Sequence, residues 1–250
     1  MSLAKIKYRN LREPNIMKQI RQSACALALM TVVTLPALAE SVDVRVIGTI
    51  TPAACTPTLS GGGTIDYGAI NPNTLSATDY TVLPEKSVEL TISCTAPARV
   101  AITPVNGRPS TVAGATEAAS GWAKTPVPLL SLTGAGVAGL GLSDGEKIGG
   151  YAMKVTNLRA DGATADVIKS LRTSGDSNWQ ADGNVSGFFR NVGTVPFKIT
   201  AAAPGTLAAR AFKNLSGTLV VQAYLNKTSE LNVANAVNLD GLTTIELVYL

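Results

Sequence analysis

Apolar and polar residues alternate at period two in one stretch after another of this chain, a spacing that suits strands and not amphipathic helices. Val88, Leu90, Ile92 and Cys94 alternate with Glu89, Thr91 and Ser93. Leu219, Val221, Ala223 and Leu225 share one face of a later run, with Thr218, Val220, Gln222 and Tyr224 on the other. The chain closes on Thr243, Ile245, Leu247 and Tyr249 against Thr244, Glu246, Val248 and Leu250. Shorter strand candidates are 99–103, 129–133, 151–156 and 196–200. Turn-forming pairs and triplets punctuate them, among them Gly61-Gly62-Gly63, Asn71-Pro72-Asn73, Asp144-Gly145, Asp161-Gly162 and Asp240-Gly241. Only 163–171 reads as a short helix. The pattern predicts an all-β sandwich of many short strands, with the Gly/Ala/Ser-rich stretches 105–145 and 172–195 as loops or insertions.

The first 39 residues read as a leader. Lys18 and Arg21 form a basic start, 24–35 an apolar stretch too short to span a bilayer, and Ala37-Leu38-Ala39 a small-x-small cleavage site. Residues 1–16 look like an upstream extension, with Met17 as an alternative start. The whole chain carries 21 basic and 17 acidic residues, net +4. Six of the basic residues and one acidic residue lie in the leader, so the remainder holds 15 against 16, net −1. The basic excess therefore belongs to the leader and gives no reason to expect a nucleic-acid partner. Cys25 leaves with the leader, and Cys55 and Cys94 remain. In an exported chain such a pair reads as a structural disulfide.

Chemistry is sparse. The absence of histidine removes Ser-His-Asp and Cys-His catalytic schemes and His-ligated metal sites. No carboxylate pair stands out as an acid and base, and the sequence nominates no catalytic residue, cofactor site or metal site. Gly134 to Gly139 fits G-x-G-x-x-G, but no helical face follows it to meet a pyrophosphate, so it reads as a flexible small-residue loop. Trp122 and Trp179 fall in loop-like regions, where an indole serves as a half-buried anchor or as a sugar platform.

The segment after the leader is the most informative. Val42, Val44, Val46, Gly48 and Ile50 share one face of a strictly alternating run. It reads either as an ordinary first strand inside its own sandwich, which the pattern alone favours, or as a strand that needs another groove to fill. The run from Val44 through Gly48 to Cys55 resembles the N-terminal extension and first cysteine of chaperone–usher fimbrial (pilus) subunits, with Gly48 seven residues before Cys55. It is most similar to the fimbrial-like proteins described as β-fimbrial subunits. Cys55 and Cys94 resemble that family's strand A to strand B disulfide in order and spacing. The stretch 242–250 resembles its last strand with a penultimate tyrosine, although Gly241 stands closer to that strand than the family's glycine does.

The resemblance implies an incomplete immunoglobulin-like sandwich of pilin type, lacking its seventh strand and completed by donor-strand complementation. It implies a non-enzymatic structural subunit, exported to the periplasm and then part of a fimbrium at the cell surface, serving adhesion. Its partners are then a periplasmic pilus chaperone, an outer-membrane usher and neighbouring subunits. Residues 40–54 become the donor strand, with Val42, Val44, Val46, Gly48 and Ile50 filling the groove, and 55–250 the sandwich domain with insertions around 105–195. Ile245, Leu247, Tyr249 and Leu250 become the C-terminal strand that chaperone and groove use. The rival reading is a self-sufficient secreted β-sandwich that binds carbohydrate or a surface.

Overall fold

In a computed structural model of the chain, the described residues are 42–49, 53–119, 121–132, 134–182, 187–190 and 193–250. Residues 1–39, expected as a leader, and Ile50 lie outside them. The chain divides into an N-terminal unit ending at Thr49 and a body, Ile50–Leu250.

The body is all-β. Its strands are β1 (Cys55–Leu59), β2 (Thr81–Val82), β3 (Lys86–Ala98), β4 (Val100–Asn106), β5 (Ala123–Lys124), β6 (Gly136–Gly139), β7 (Leu142–Ser143) and β8 (Glu146–Lys147). They continue as β9 (Gly149–Ala160), β10 (Ala163–Thr164), β11 (Asp166–Leu171), β12 (Gln180–Ala181), β13 (Phe197–Ala202), β14 (Phe212–Leu225) and β15 (Thr243–Tyr249). The first sheet runs β1-β3-β14-β9-β6-β5, with β2 beside β14 and β10 beside β9. The second runs β12-β11-β13-β4-β15, and β7 and β8 form a separate hairpin. The strand pairings are antiparallel, and β14 sits centrally with Leu219 opposite both Val88 and Val155.

The main core joins the two sheets. Leu90 and Ile92 of β3, Leu219 and Val221 of β14, and Met153 and Val155 of β9 pack in one cluster with Val100 and Ile102 of β4 and Ile199 and Ala201 of β13. Alternation explains the division of faces. On β14, Leu219, Val221 and Ala223 point into this core, while Tyr224 packs with Leu129, Leu130 and Val137 on the opposite face. On β15, Ile245 and Leu247 lean on the main core, whereas Val248 and Leu250 cover Ala101, Ile168 and Trp179 on the outer face of the second sheet. Leu250 therefore lies on the other side of the strand from Ile245 and Leu247.

Four expectations are corrected. The stretch 163–171 is not a helix: β11 is held between β12 and β13, and Ile168 is buried from both. In the expected strand 129–133, residues 129–132 form a tight turn closed by a bridge between Leu129 and Leu132, and Thr133 lies outside the described residues. Gly136–Gly139 is a buried strand, not a flexible loop. A Cβ on Gly136 would run into the Phe189 carbonyl oxygen, so the missing side chain is a packing requirement. The supposed loop regions also carry core: Trp122 is 1% exposed and stacks on Phe189 with ring centroids 4.5 Å apart.

Candidate functional site

The two sheet edges nearest the chain ends are open. β15 pairs with β4 on one side and β1 with β3 on one side, and no described strand pairs with the other edge of either. Unpaired edges are templates for an added strand. The disulfide Cys55–Cys94 bonds β1 to β3 across directly paired positions. At the other end of β15, the backbone N–H of Cys55 donates to the Tyr249 hydroxyl at 2.8 Å, which clasps the start of β1 to the end of β15.

From that clasp onward the body opens into a groove of about 930 Å³. One wall is the irregular chain from Leu59 to Leu75, and the other is the chain from Leu231 to Ile245. The floor is the main core, including Val88, Met153, Leu219 and Val221. The strand faces explain the floor: these are the inward positions of β3, β9 and β14, buried beneath the two walls. Ile65, Tyr67, Val233 and Val237 are only partly buried against that core.

Polar contacts fix the walls. Arg108 donates to both carboxylate oxygens of Asp240 at 2.7 Å, tying the second wall to the turn after β4. This hydrogen bond holds the Asp240 carboxyl below its ordinary range and raises the guanidinium. The Tyr151 hydroxyl and the Thr243 hydroxyl lie 2.6 Å apart at the groove floor. Burial pushes the Tyr151 phenol up to about 12 despite that bond. A Cβ on Gly241 would meet the Tyr151 ring at 2.9 Å, so glycine lets the wall close onto the floor. The Tyr67 hydroxyl is buried, and burial raises its phenol as well. Among the described residues no three Cys, Asp or Glu side chains cluster as metal ligands.

The expected donor residues Val42, Val44 and Val46 are 89, 85 and 95% exposed, and 42–49 form no strand. A Cβ on Gly48 would meet nothing within 4 Å. Of the expected C-terminal residues, Ile245 lines the groove, Leu247 packs on the core and Tyr249 forms the clasp. The wall residues Ile65, Tyr67, Val233 and Val237 were not foreseen, because irregular chain has no period to read.

Neither indole offers a free face: Trp122 is covered by Phe189, and Trp179 is overlain by the Lys198 ammonium at 5.0 Å from its ring centre.

The family model described as "Protein of unknown function (DUF1120)" matches residues 44–152. The chain is 30% identical to protein GltF of Escherichia coli (strain K12), over 91% of this chain and 97% of that protein. It is 27% identical to the uncharacterized protein YhcF of the same organism, over 84% of this chain and 90% of that protein. No solved structure matches. The chain belongs to the same family as GltF.

Proposed function

We propose that this member of the GltF family is a structural, non-enzymatic subunit of a chaperone–usher fimbria, exported by its leader and polymerised by strand donation. The 42–50 segment of one subunit enters the groove of a neighbour and pairs with the free edge of β15. The observation that carries this reading is topological. The order β1-β3-β14-β9 matches the A-B-E-D sheet of an immunoglobulin-like sandwich, and β4-β15 matches its C-F pair, with no described strand in the place of G. The groove beside Thr243 and Ile245 of β15 supports that reading.

The energetics favour a β-augmentation. Three valines and one isoleucine contribute about 1.5–3 kcal/mol each on burial, ~6–12 in total. Ordering nine backbone residues costs about 1–2 kcal/mol each. Side chains therefore do not hold the strand alone, and main-chain bonds to the β15 edge must add to them. A strand donated head to tail makes a heterologous, non-closing contact, which builds a filament. Before assembly, a periplasmic chaperone lends a strand to the same edge, and an outer-membrane usher exchanges it for the next subunit's segment.

The test is expression of residues 40–250 in an oxidising periplasm with and without a pilus chaperone. Alone the chain is expected to aggregate or be degraded, and with the chaperone to co-purify. Moving residues 41–54 behind Leu250 on a flexible linker should give a stable monomer that does not polymerise. A wild-type chain that stays monomeric without any partner and takes up no added 41–54 peptide sinks the proposal.

A further inference from the structure

The groove is nearly uncharged, and its one exception has a counterpart in the donor segment. Of the described residues that line it, Asp66 alone carries a charge. Its side chain is exposed on the first wall, where Oδ1 accepts the Gly68 N–H at 2.7 Å. Two nearby carboxylates already hold arginines, Asp240 with Arg108 at 2.7 Å and Glu246 with Arg172 at 3.0 Å, and Glu85 acts on the Tyr67 phenol without lining the groove. No cation among the described residues pairs with Asp66; Lys86 lies over the Tyr67 ring instead, 5.5 Å from its centre.

The donor segment carries one cation, Arg45, between Val44 and Val46. When those valines point into the groove, alternation turns Arg45 outward toward the rim. A strand paired with the β15 edge lies about 5 Å from it, and the long Arg45 side chain then extends across the rim toward the opposite wall, where Asp66 stands.

Resting on the fimbrial reading above, we propose that the occupant of the groove is the N-terminal segment of a second copy of this chain, set in register by an Arg45–Asp66 ion pair across the rim. The apolar residues supply affinity but repeat every two positions, so a slip by two keeps them all facing inward. The ion pair distinguishes the registers, because only one places Arg45 beside the lone carboxylate. Charge thereby selects this chain's own segment over an apolar strand of another sequence.

The experiment titrates a fluorescent peptide spanning residues 41–54 into the full chain and reads the dissociation constant by anisotropy. An exposed pair contributes modestly, and reversal replaces attraction with repulsion. Arg45→Glu in the peptide is therefore expected to weaken binding about fivefold at 0.15 M salt, with most of the loss gone at 1 M, where the Debye length falls to about 3 Å. Asp66→Lys in the chain should weaken the wild-type peptide similarly, and the Arg45→Glu peptide should bind that variant within about twofold of the original pair. Asp66→Asn keeps the acceptor for the Gly68 N–H. It should make the wild-type and Arg45→Glu peptides bind alike, so the test survives if the lysine variant does not fold. Equal binding of both peptides to the unaltered chain, or no rescue by the swap, overturns the pair. A Val46→Asp peptide separates the two claims. If it fails to bind while the charge variants are neutral, only the register inference falls. If it binds as well as wild type, or if no peptide binds, the strand-donation reading falls too.

Discussion

Val46→Asp in the full chain separates assembly from folding. Val46 is 95% exposed in the subunit, so its replacement removes no contact from the folded body. Substitutions at such positions stay within about 0.5 kcal/mol, and the melting temperature should move by no more than a degree or two. In the groove the same change removes about 1.5–3 kcal/mol of valine burial. It also sends a carboxylate toward a floor of Val88, Met153, Leu219 and Val221 that contains no charge. An unpaired carboxylate there must take a proton or admit water, at several kcal/mol. Together these come to roughly 5 kcal/mol, or about a 10³–10⁴-fold loss of affinity at 1.4 kcal/mol per decade. The assay pairs differential scanning fluorimetry of the variant with its assembly followed by native mass spectrometry. The reasoning fails if the variant melts well below wild type, which would place Val46 in the subunit's own core. It fails equally if the variant assembles at the wild-type rate.

Gly48→Leu should slow strand exchange sharply while leaving the chaperone complex intact, since Gly48 is among the residues expected to fill the groove and leucine adds bulk there; unchanged polymerisation removes it from that place. Reducing the Cys55–Cys94 bond reopens a loop with a sequence separation of 39. Chain entropy then gives a loss of about 4 kcal/mol, to be read from urea unfolding with and without reductant. The Arg108–Asp240 bond depresses the Asp240 carboxyl below the unfolded 3.8. Its stabilising contribution is thus present above that value and lost as pH falls through the lower folded one. The wild-type chain should accordingly outlast Arg108→Ala near neutral pH, with the gap closing below about pH 4 in acid-unfolding curves. A gap independent of pH would mean that Arg108 acts through packing alone.

Much of the frame could be read from single side chains. The faces of β3, β14 and β15 follow from alternation because each has one side on the main core, as Val88, Leu219 and Ile245 show. The stretch 163–171 defeats the same reasoning. Val167, Ile168 and Leu171 are spaced as a helix face would space them, but pairing of β11 with β13 over Asp166 to Leu171 overrides local pattern. Gly136–Gly139 fails differently: small residues suggested a mobile loop, whereas the close approach of the Phe189 backbone demands them. The candidate site was half legible. The segment 42–50 is legible as a strict alternation of apolar side chains. The groove walls do not, since Ile65, Tyr67, Val233 and Val237 are brought together by chain that follows no period, and only the three-dimensional course of 59–75 and 231–245 makes them neighbours.

The central claim is that the outer edge of β15 is the place where a donated strand pairs. Hydrogen exchange at the β15 amides tests this directly. The amides between Thr243 and Tyr249 that do not bond to β4 should exchange fast in the isolated chain. Saturation with the 41–54 peptide should slow those alternate amides at least tenfold, while the amides already bonded to β4 change little. A bound peptide that leaves the outer-edge amides exchanging at their original rate would contradict the account.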